Sequence, residues 1–158
     1  IGGHNAAGPA RVMSLRDGSA KMSKSDPSDM SRINLTDDAD AIANKIKRAK
    51  TDPEPLPETA AGLEGRPEAR NLVGLYAALA DCSVDAVLAD FAGKGFGAFK
   101  PALADRMIAA LAPINARFVE LRGDPAYLGR VLDDGAQRAN AIAAPVLAEV
   151  KQVVGFLR

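Results

Sequence analysis

Residues 71–91 read NLVGLYAALADCSVDAVLADF, and their apolar positions follow a helical period. In the first half of this stretch the large apolar residues recur at intervals of three and four: Leu72, Leu75, Tyr76 and Leu79. Such spacing places side chains on one face of an α-helix. Ser83 is a typical helix N-cap, and the apolar residues after it repeat the same spacing. The stretch therefore predicts two amphipathic helices that pack through their apolar faces, and with them a mainly α fold.

The helical period continues toward the C-terminus in two longer segments. One segment has apolar positions at Met107, Leu111, Ile114, Phe118 and Leu121, and the other at Ile142, Val146, Val150, Val154 and Leu157. Asp124 followed by Pro125 predicts that a helix begins between these two segments, because proline suits the first helical position. Pro113 and Pro145 lie inside the two patterns, and each predicts a kink or a break.

Toward the N-terminus the pattern changes. Residues 52–66 are rich in proline, glycine and acidic side chains, which predicts an irregular connector. A helix is predicted over about 38–50, capped by Asp37 or Asp38, with basic residues in its last turns. Only residues 11–15 and 33–36 alternate apolar and polar side chains as strands do.

Composition narrows the class of protein. The 158 residues are 47% hydrophobic and 25% charged, and 20 basic residues balance 20 acidic ones. This predicts a globular chain with no bulk basic charge and no membrane-spanning segment. The single cysteine, Cys82, and the single histidine, His4, cannot form a Cys/His metal site. The basic excess is local: residues 1–50 hold nine basic and six acidic side chains.

The centre of that basic region is a loop between Gly18 and Pro27. Residues 21–25 read KMSKS, with Lys21 and Lys24 three positions apart among small hydroxyl side chains. Two ammonium groups on a hinged loop can follow a triphosphate and stabilise the charge that develops on a leaving pyrophosphate. The alternative reading of the composition alone is a solvated basic loop.

KMSKS is the nucleotide-loop signature of class I aminoacyl-tRNA synthetases, and the sequence resembles that family most closely in its tryptophanyl branch. Further blocks occur in the family's order: ARVMSL at 10–15, DP at 26–27, ANKIKRAKTD at 43–52, NLVGLYAAL at 71–79, GKGFGAFK at 93–100 and LDDGAQRAN at 132–140. The resemblance thus extends from about residue 10 to the C-terminus. It implies activation of tryptophan by ATP and transfer of the tryptophanyl group to tRNA(Trp).

The resemblance also implies roles for individual residues. Lys21 and Lys24 are expected to be catalytic, through contacts with the ATP phosphates and the leaving pyrophosphate. The implied ATP-binding residues are Val12, Lys21, Met22, Ser23, Lys24 and Ser25. Val12 and Met22 are expected to hold the adenine mainly through backbone groups. Mg²⁺ is expected to accompany ATP through phosphate oxygens, without a metal site held by the protein.

The family's organisation predicts two parts. Residues 1–36 correspond to the end of the catalytic domain, a small β-containing remnant of a Rossmann-like domain that carries the KMSKS loop. Residues 37–158 correspond to an α-helical bundle of the tRNA anticodon-binding type, with the Pro-rich connector at about 52–66. Residues 1–9 fit the family poorly and receive no role.

Family members place the HIGH-type signature and the tryptophan pocket ahead of the KMSKS loop, and neither is found in this sequence. The chain is therefore expected to be the C-terminal half of a cytoplasmic enzyme and to be inactive alone. The family's homodimer contacts are expected in the other half.

Three alternatives stay open. The tyrosyl enzyme shares the loop and a related fold, although the LDDGAQRAN and GKGFGAFK blocks favour tryptophan. A non-catalytic helical RNA-binding module that keeps the loop as a relic is a second alternative, and a structural interaction domain is a third. Tyr76, Phe91, Phe99 and Phe118 are predicted to pack in a core rather than to stack on bases.

Overall fold

The computed structural model describes residues 11–155, and this part of the chain is mainly helical. It contains five α-helices: α1 (Ala39–Lys47), α2 (Pro67–Ala80), α3 (Val84–Phe91), α4 (Phe96–Arg122) and α5 (Pro125–Val154). Two short 3-10 helices, Asp29–Ser31 and Ala60–Leu63, precede α1 and α2. The predicted mainly α fold is confirmed. The calls on residues 1–9, on His4 and on Leu157 lie outside the described residues.

The chain divides into two compact units, Ile1–Asn115 and Ala116–Arg158, and α4 contributes residues to both. The division reflects packing within each unit. It does not test the boundary predicted at residue 36, between the end of the catalytic domain and the anticodon-binding domain, which stays a prediction.

The core of the first unit joins the segment before the KMSKS loop to helices α1–α4. Its most deeply buried large side chains are Leu15, Ile46, Leu56, Leu72, Leu88, Phe99 and Leu103. Within it Phe91 and Phe99 meet edge to face with ring centroids 5.1 Å apart, and Tyr76 lies 5.6 Å from Phe91. The predicted core role of these three aromatic residues is confirmed.

The predicted helix starts are confirmed by their caps. The Asp38 side chain accepts a hydrogen bond from the Ala41 amide at 2.8 Å, and the Ser83 hydroxyl accepts one from the Ala86 amide at 3.1 Å. Asp124 caps α5 in the same way, through the Tyr127 amide at 2.8 Å. Each cap satisfies one of the amides that a helix leaves without an internal partner.

The two predicted strands are wrong. Within the described part, residues 11–15 and 33–36 form no strand, and the extended pairing consists of one isolated antiparallel bridge between Met13 and Lys21. The outer edge of Met13 is bonded by a side chain of α2, so no second strand extends the bridge. Residues 33–36 instead lead into a turn in which the Asn34 amide donates to the Asp37 carboxylate at 2.8 Å.

Residues 52–66 form an irregular segment that contains the 3-10 helix Ala60–Leu63, and Arg66 holds this segment in place. Its role as a connector stays a prediction. The guanidinium makes two hydrogen bonds to the Asp52 carboxylate, at 2.6 and 3.0 Å, and further ones to the carbonyls of Glu54 and Pro55. Burial raises the pKa of Asp52, but hydrogen bonds from Arg66 and the Glu54 amide, together with the charge of Arg66, outweigh it, so the pKa is lowered.

The prolines inside the long helices do not break them. Helix α4 runs through Pro113 and α5 runs through Pro145, so neither proline breaks its helix, and the alternative of a kink at each stays a prediction. A proline removes one backbone donor, and a helix of 27 or 30 residues keeps its hydrogen bonds on both sides of that position.

The second unit has little core of its own within the described residues. Phe118 is 40% exposed, so its predicted core role is wrong, and no described residue of α5 is buried. A short helical segment and one long helix cannot cover all of each other's apolar surface. The stripe of α5 that includes Ile142 and Val146 is therefore exposed. Within residues 11–155, no single helix is long and apolar enough to cross a membrane.

Candidate functional site

The KMSKS loop directly follows a short antiparallel hairpin. The Met22 amide donates to the Val12 carbonyl at 3.0 Å, and the Ser14 amide donates to the Ala20 carbonyl at 2.8 Å. These two bonds flank the bridge between Met13 and Lys21. Lys21 thus lies where the hairpin ends and the loop begins.

The turn of this hairpin is built by residues 17–20. The Asp17 carboxylate accepts hydrogen bonds from the Ser19 amide at 2.9 Å and from the Ser19 hydroxyl at 2.6 Å. Gly18 lies directly against the start of α2, because a Cβ added to it would be 2.4 Å from the Glu68 amide nitrogen. Only glycine fits this close approach without a shift of backbone.

The loop itself presents its polar side chains to solvent. Lys21, Ser23, Lys24 and Ser25 are all exposed. The Ser23 hydroxyl accepts a hydrogen bond from the Ser25 amide at 3.2 Å, which forms a tight turn around Lys24. Among the described residues, neither lysine forms an ion pair. The loop therefore presents two positive charges, three residues apart in sequence, to solvent.

The structure also brings Val12 and Met22 together. Val12 is 37% exposed, whereas Met22 is half-buried and packs against the core. The Met22 amide and the Val12 carbonyl are hydrogen-bonded to each other. An adenine at this position would have to bind to groups of Val12 and Met22 other than this amide and this carbonyl. Their assignment to ATP binding stays a prediction.

The segment that follows the loop is tied to α1 through Arg32. The Arg32 guanidinium donates to the Asp26 carbonyl at 2.9 Å and forms an ion pair with Asp29 at 2.9 Å. The second Asp29 oxygen accepts from the Lys45 ammonium of α1 at 2.6 Å, and Lys45 also bonds Asp37 at 2.6 Å. Lys45 is only 4% exposed. Lys45 thus connects Asp29 and Asp37 to α1.

The pKa values in this network shift as paired charges should. Hydrogen bonds from Lys45 and then from Asn34 hold the pKa of Asp29 below its usual value. For Lys45, burial alone would lower the pKa, but hydrogen bonds to Asp29 and Asp37 raise it above the usual value. The ammonium and the Asp29 carboxylate therefore both stay charged near neutral pH.

The segment that precedes the loop is held by Asn71 of α2. The Asn71 carbonyl oxygen accepts from the Met13 amide at 3.1 Å, and its NH₂ group donates to the Met13 carbonyl at 3.0 Å. Asn71 is 7% exposed. Sequence reasoning assigned no role to Asn71, Arg32 or Lys45. The sequence offered only the position of Asn71, directly before the apolar period that begins at Leu72; its burial is a finding of the structure.

The basic residues of the GKGFGAFK block have local partners. The Lys94 ammonium donates to the Asp90 carbonyl at 2.7 Å, and the Lys100 ammonium donates to the Ala49 carbonyl at 2.7 Å just beyond α1. Burial lowers the pKa of Lys100. Residues 92–95 thus form the turn that joins α3 to α4, and Lys100 ties α4 to the residues that follow α1.

The exposed charges on the loop suit a phosphate ligand. Within residues 11–155, no three histidine, cysteine, aspartate or glutamate side chains come together as metal ligands. The exposed charges on the loop are ammonium groups, which attract phosphate oxygens.

Comparison with known proteins identifies the family. A family model described as "tRNA synthetases class I (W and Y)" matches residues 6–112, about two thirds of the chain. This chain belongs to that family. The resemblance on which the sequence analysis relied is thereby confirmed, and the matched residues include the whole KMSKS loop.

Relatives within this class I family are similar over nearly the whole chain. The chain is 65% identical to tryptophan–tRNA ligase of Caulobacter vibrioides over 93% of its length, and 57% identical to that of Mesorhizobium japonicum over 96%. In both cases it spans 43% of the relative's length. Resemblance to the tryptophanyl branch is confirmed at the level of sequence.

Solved structures of the family share the fold. Tryptophanyl-tRNA synthetase from Campylobacter jejuni, solved in complex with ADP and tryptophan, aligns with a TM-score of 0.74 and 25% identity. The alignment covers 93% of this chain and 44% of that one. The enzyme from Mycoplasma pneumoniae aligns with a TM-score of 0.68 at 24% identity, which shows the fold alone.

Proposed function

We propose that this chain is the C-terminal part of an enzyme that activates tryptophan with ATP and transfers it to tRNA(Trp). Identities of 57–65% to tryptophan–tRNA ligases over more than nine tenths of the chain support the proposal. The carrying observation in the structure is the exposed Lys21–Lys24 pair on a loop whose two ends are fixed to helices.

The proposed chemistry at the loop is electrostatic. ATP and tryptophan give tryptophanyl adenylate and pyrophosphate, so negative charge accumulates on the leaving phosphates. Lys21 and Lys24 stabilise that charge, and their exposed position lets them meet the phosphates when the loop closes. Mg²⁺ accompanies ATP through phosphate oxygens. In this proposal Val12 and Met22 lie at the adenine end, and Ser23 and Ser25 shape the turn around Lys24.

The other parts of the enzyme follow from the family. Residues 1–36 end a Rossmann-like catalytic domain, and residues 37–158 form the helical domain that binds the anticodon arm of the tRNA. The tryptophan pocket and the homodimer contacts belong to the remaining part of the enzyme, which acts in the cytoplasm. The chain spans 43% of the relatives' length, which supports a remaining part of the enzyme outside this chain.

Aminoacylation tests the proposal. The full-length enzyme is incubated with ATP, Mg²⁺, unfractionated tRNA and either labelled tryptophan or labelled tyrosine. We expect label from tryptophan alone in acid-precipitable tRNA. Labelling from neither amino acid would contradict the proposal and favour the non-catalytic RNA-binding module.

The tyrosyl enzyme is the second candidate, because the matching family model covers both amino acids. Labelling from tyrosine alone would move the assignment to that branch. It would leave the roles of Lys21 and Lys24 unchanged, since both branches share the loop.

A further inference from the structure

We propose that Asn71 of α2 is a positioning residue for adenylate formation, acting through the backbone of Met13 to set the place of Lys21. This inference rests on the function proposed above. Asn71 is far from the KMSKS loop in sequence, and neither the loop signature nor the charge pattern points to it.

The first step concerns the hydrogen bonds of the hairpin. Met13 and Lys21 face each other across the antiparallel bridge, and the bonds from Met22 to Val12 and from Ser14 to Ala20 lie on either side of that pair. In such a pair the two residues exchange no hydrogen bond, and their amide and carbonyl groups point away from each other. The amide and carbonyl of Met13 are therefore on the outer edge of the hairpin.

The second step is that the Asn71 side chain closes this edge. One primary amide offers an acceptor and donors in the arrangement that a neighbouring strand would present. Asn71 accepts from the Met13 amide at 3.1 Å and donates to the Met13 carbonyl at 3.0 Å, with a longer contact of 3.5 Å to the Ser14 carbonyl. Because Asn71 is buried, removal of its amide leaves polar groups of a part-buried backbone without partners.

The third step is that α2 meets the hairpin at a second point. Gly18 packs against the Glu68 amide nitrogen, one helical turn before Asn71. Two contacts along the same helix fix both the position and the orientation of the hairpin. Lys21 ends the hairpin opposite Met13, so a shift of Met13 is transmitted to the position of the ammonium group.

The test uses two substitutions in the full-length enzyme, with ATP–pyrophosphate exchange as the readout. Asn71→Leu removes both partners of Met13. We expect kcat to fall roughly tenfold or more, with the KM for tryptophan changed less than about twofold, because misplaced charge affects the transition state while the amino-acid pocket lies elsewhere.

Asn71→Asp gives a readout that a merely structural role would not move. A protonated carboxyl keeps one donor and one acceptor, whereas a carboxylate faces the Met13 and Ser14 carbonyls with no donor. We expect exchange by this variant to fall as the pH rises from about 5.5 to 8, with a slope that the wild type lacks.

Two variants serve as controls. Asn44→Asp makes the same chemical change at an exposed position of α1, and Val73→Ala destabilises α2 at a fully buried position without any hydrogen bond to the loop. Both should keep the wild-type kcat at a temperature where the enzyme stays folded. If Asn71→Leu loses no more activity than Val73→Ala, or Asn71→Asp follows the wild-type pH profile, the inference is wrong. A wild type without tryptophan-dependent exchange would overturn the proposed function and this inference together.

Discussion

Two lysines of this protein differ in their exposure and in their charged partners. Lys24 is exposed and forms no ion pair among the described residues, whereas Lys45 is buried between two carboxylates. The first is suited to meet a phosphate that arrives from solution. The second is suited to hold a segment in place, because an ammonium with two carboxylate partners can stay charged in a buried position.

We expect Lys24→Ala in the full-length enzyme to lower the rate of adenylate formation by roughly a hundredfold, by loss of a charge that stabilises the transition state. Tryptophan binding should change far less. Pre-steady-state kinetics with equilibrium binding measures both quantities, and Lys151→Ala at an exposed position of α5 is the control. Equal losses in rate and in binding would argue against a transition-state role.

We expect Lys45→Met to destabilise the chain by roughly 3 kcal/mol, because Asp37 is left largely buried without its charged partner. Urea denaturation of the 158-residue chain measures the change. Arg138→Met is a matched control, since its ion pair with Asp134 is exposed and contributes little. A loss no larger than that of the control would show that the network does not stabilise the fold.

The same ion pairs predict a pH dependence of stability. The pKa of Asp29 is lowered by folding, so its contribution is present above the unfolded value near 4 and is lost as the pH falls through the lower folded value. The pKa of Lys45 is raised, so its contribution is lost only above about pH 10.5. Thermal unfolding of wild type and Asp29→Asn should therefore differ at pH 7 and converge once the pH falls below the folded pKa of Asp29. A difference that persists at low pH would contradict this reading.

At the scale of elements, helices were predictable and the hairpin was not. The periods around Leu72 and Met107 and the caps at Ser83 and Asp124 are local signals, and local hydrogen bonds form helices. The outer edge of Met13 is bonded by Asn71, which lies 58 residues away in sequence. Alternation alone cannot show that a side chain, rather than a second strand, closes that edge. For the same reason the KMSKS loop was predictable from its residues, but its supports were not.

We expect Gly18→Ala to destabilise the chain by about 1–3 kcal/mol, because its Cβ would overlap the backbone at the start of α2. Gly97→Ala, in the first turn of α4, has nothing within 4 Å of the added Cβ and should be neutral or stabilising. Chemical denaturation of both variants makes the comparison. Equal stabilities would show that the turn can move away from α2 at little cost.

At the scale of the whole molecule, we expect the chain to supply one side of a reaction centre. In the proposed enzyme, the surfaces that position ATP and tryptophan opposite the lysine loop belong to the remaining part. We expect the 158-residue chain alone to give no tryptophan-dependent ATP–pyrophosphate exchange, because positioning of both substrates is required for catalysis. Measurable exchange by the purified chain, at a level that Lys24→Ala abolishes, would show that this expectation is wrong.

We propose that the loop of this chain serves the activation of tryptophan. This is tested by ATP–pyrophosphate exchange with the full-length enzyme, offered each of the twenty amino acids separately with Mg²⁺. We expect exchange with tryptophan alone. Exchange with tyrosine instead, or with none of the amino acids, would contradict it.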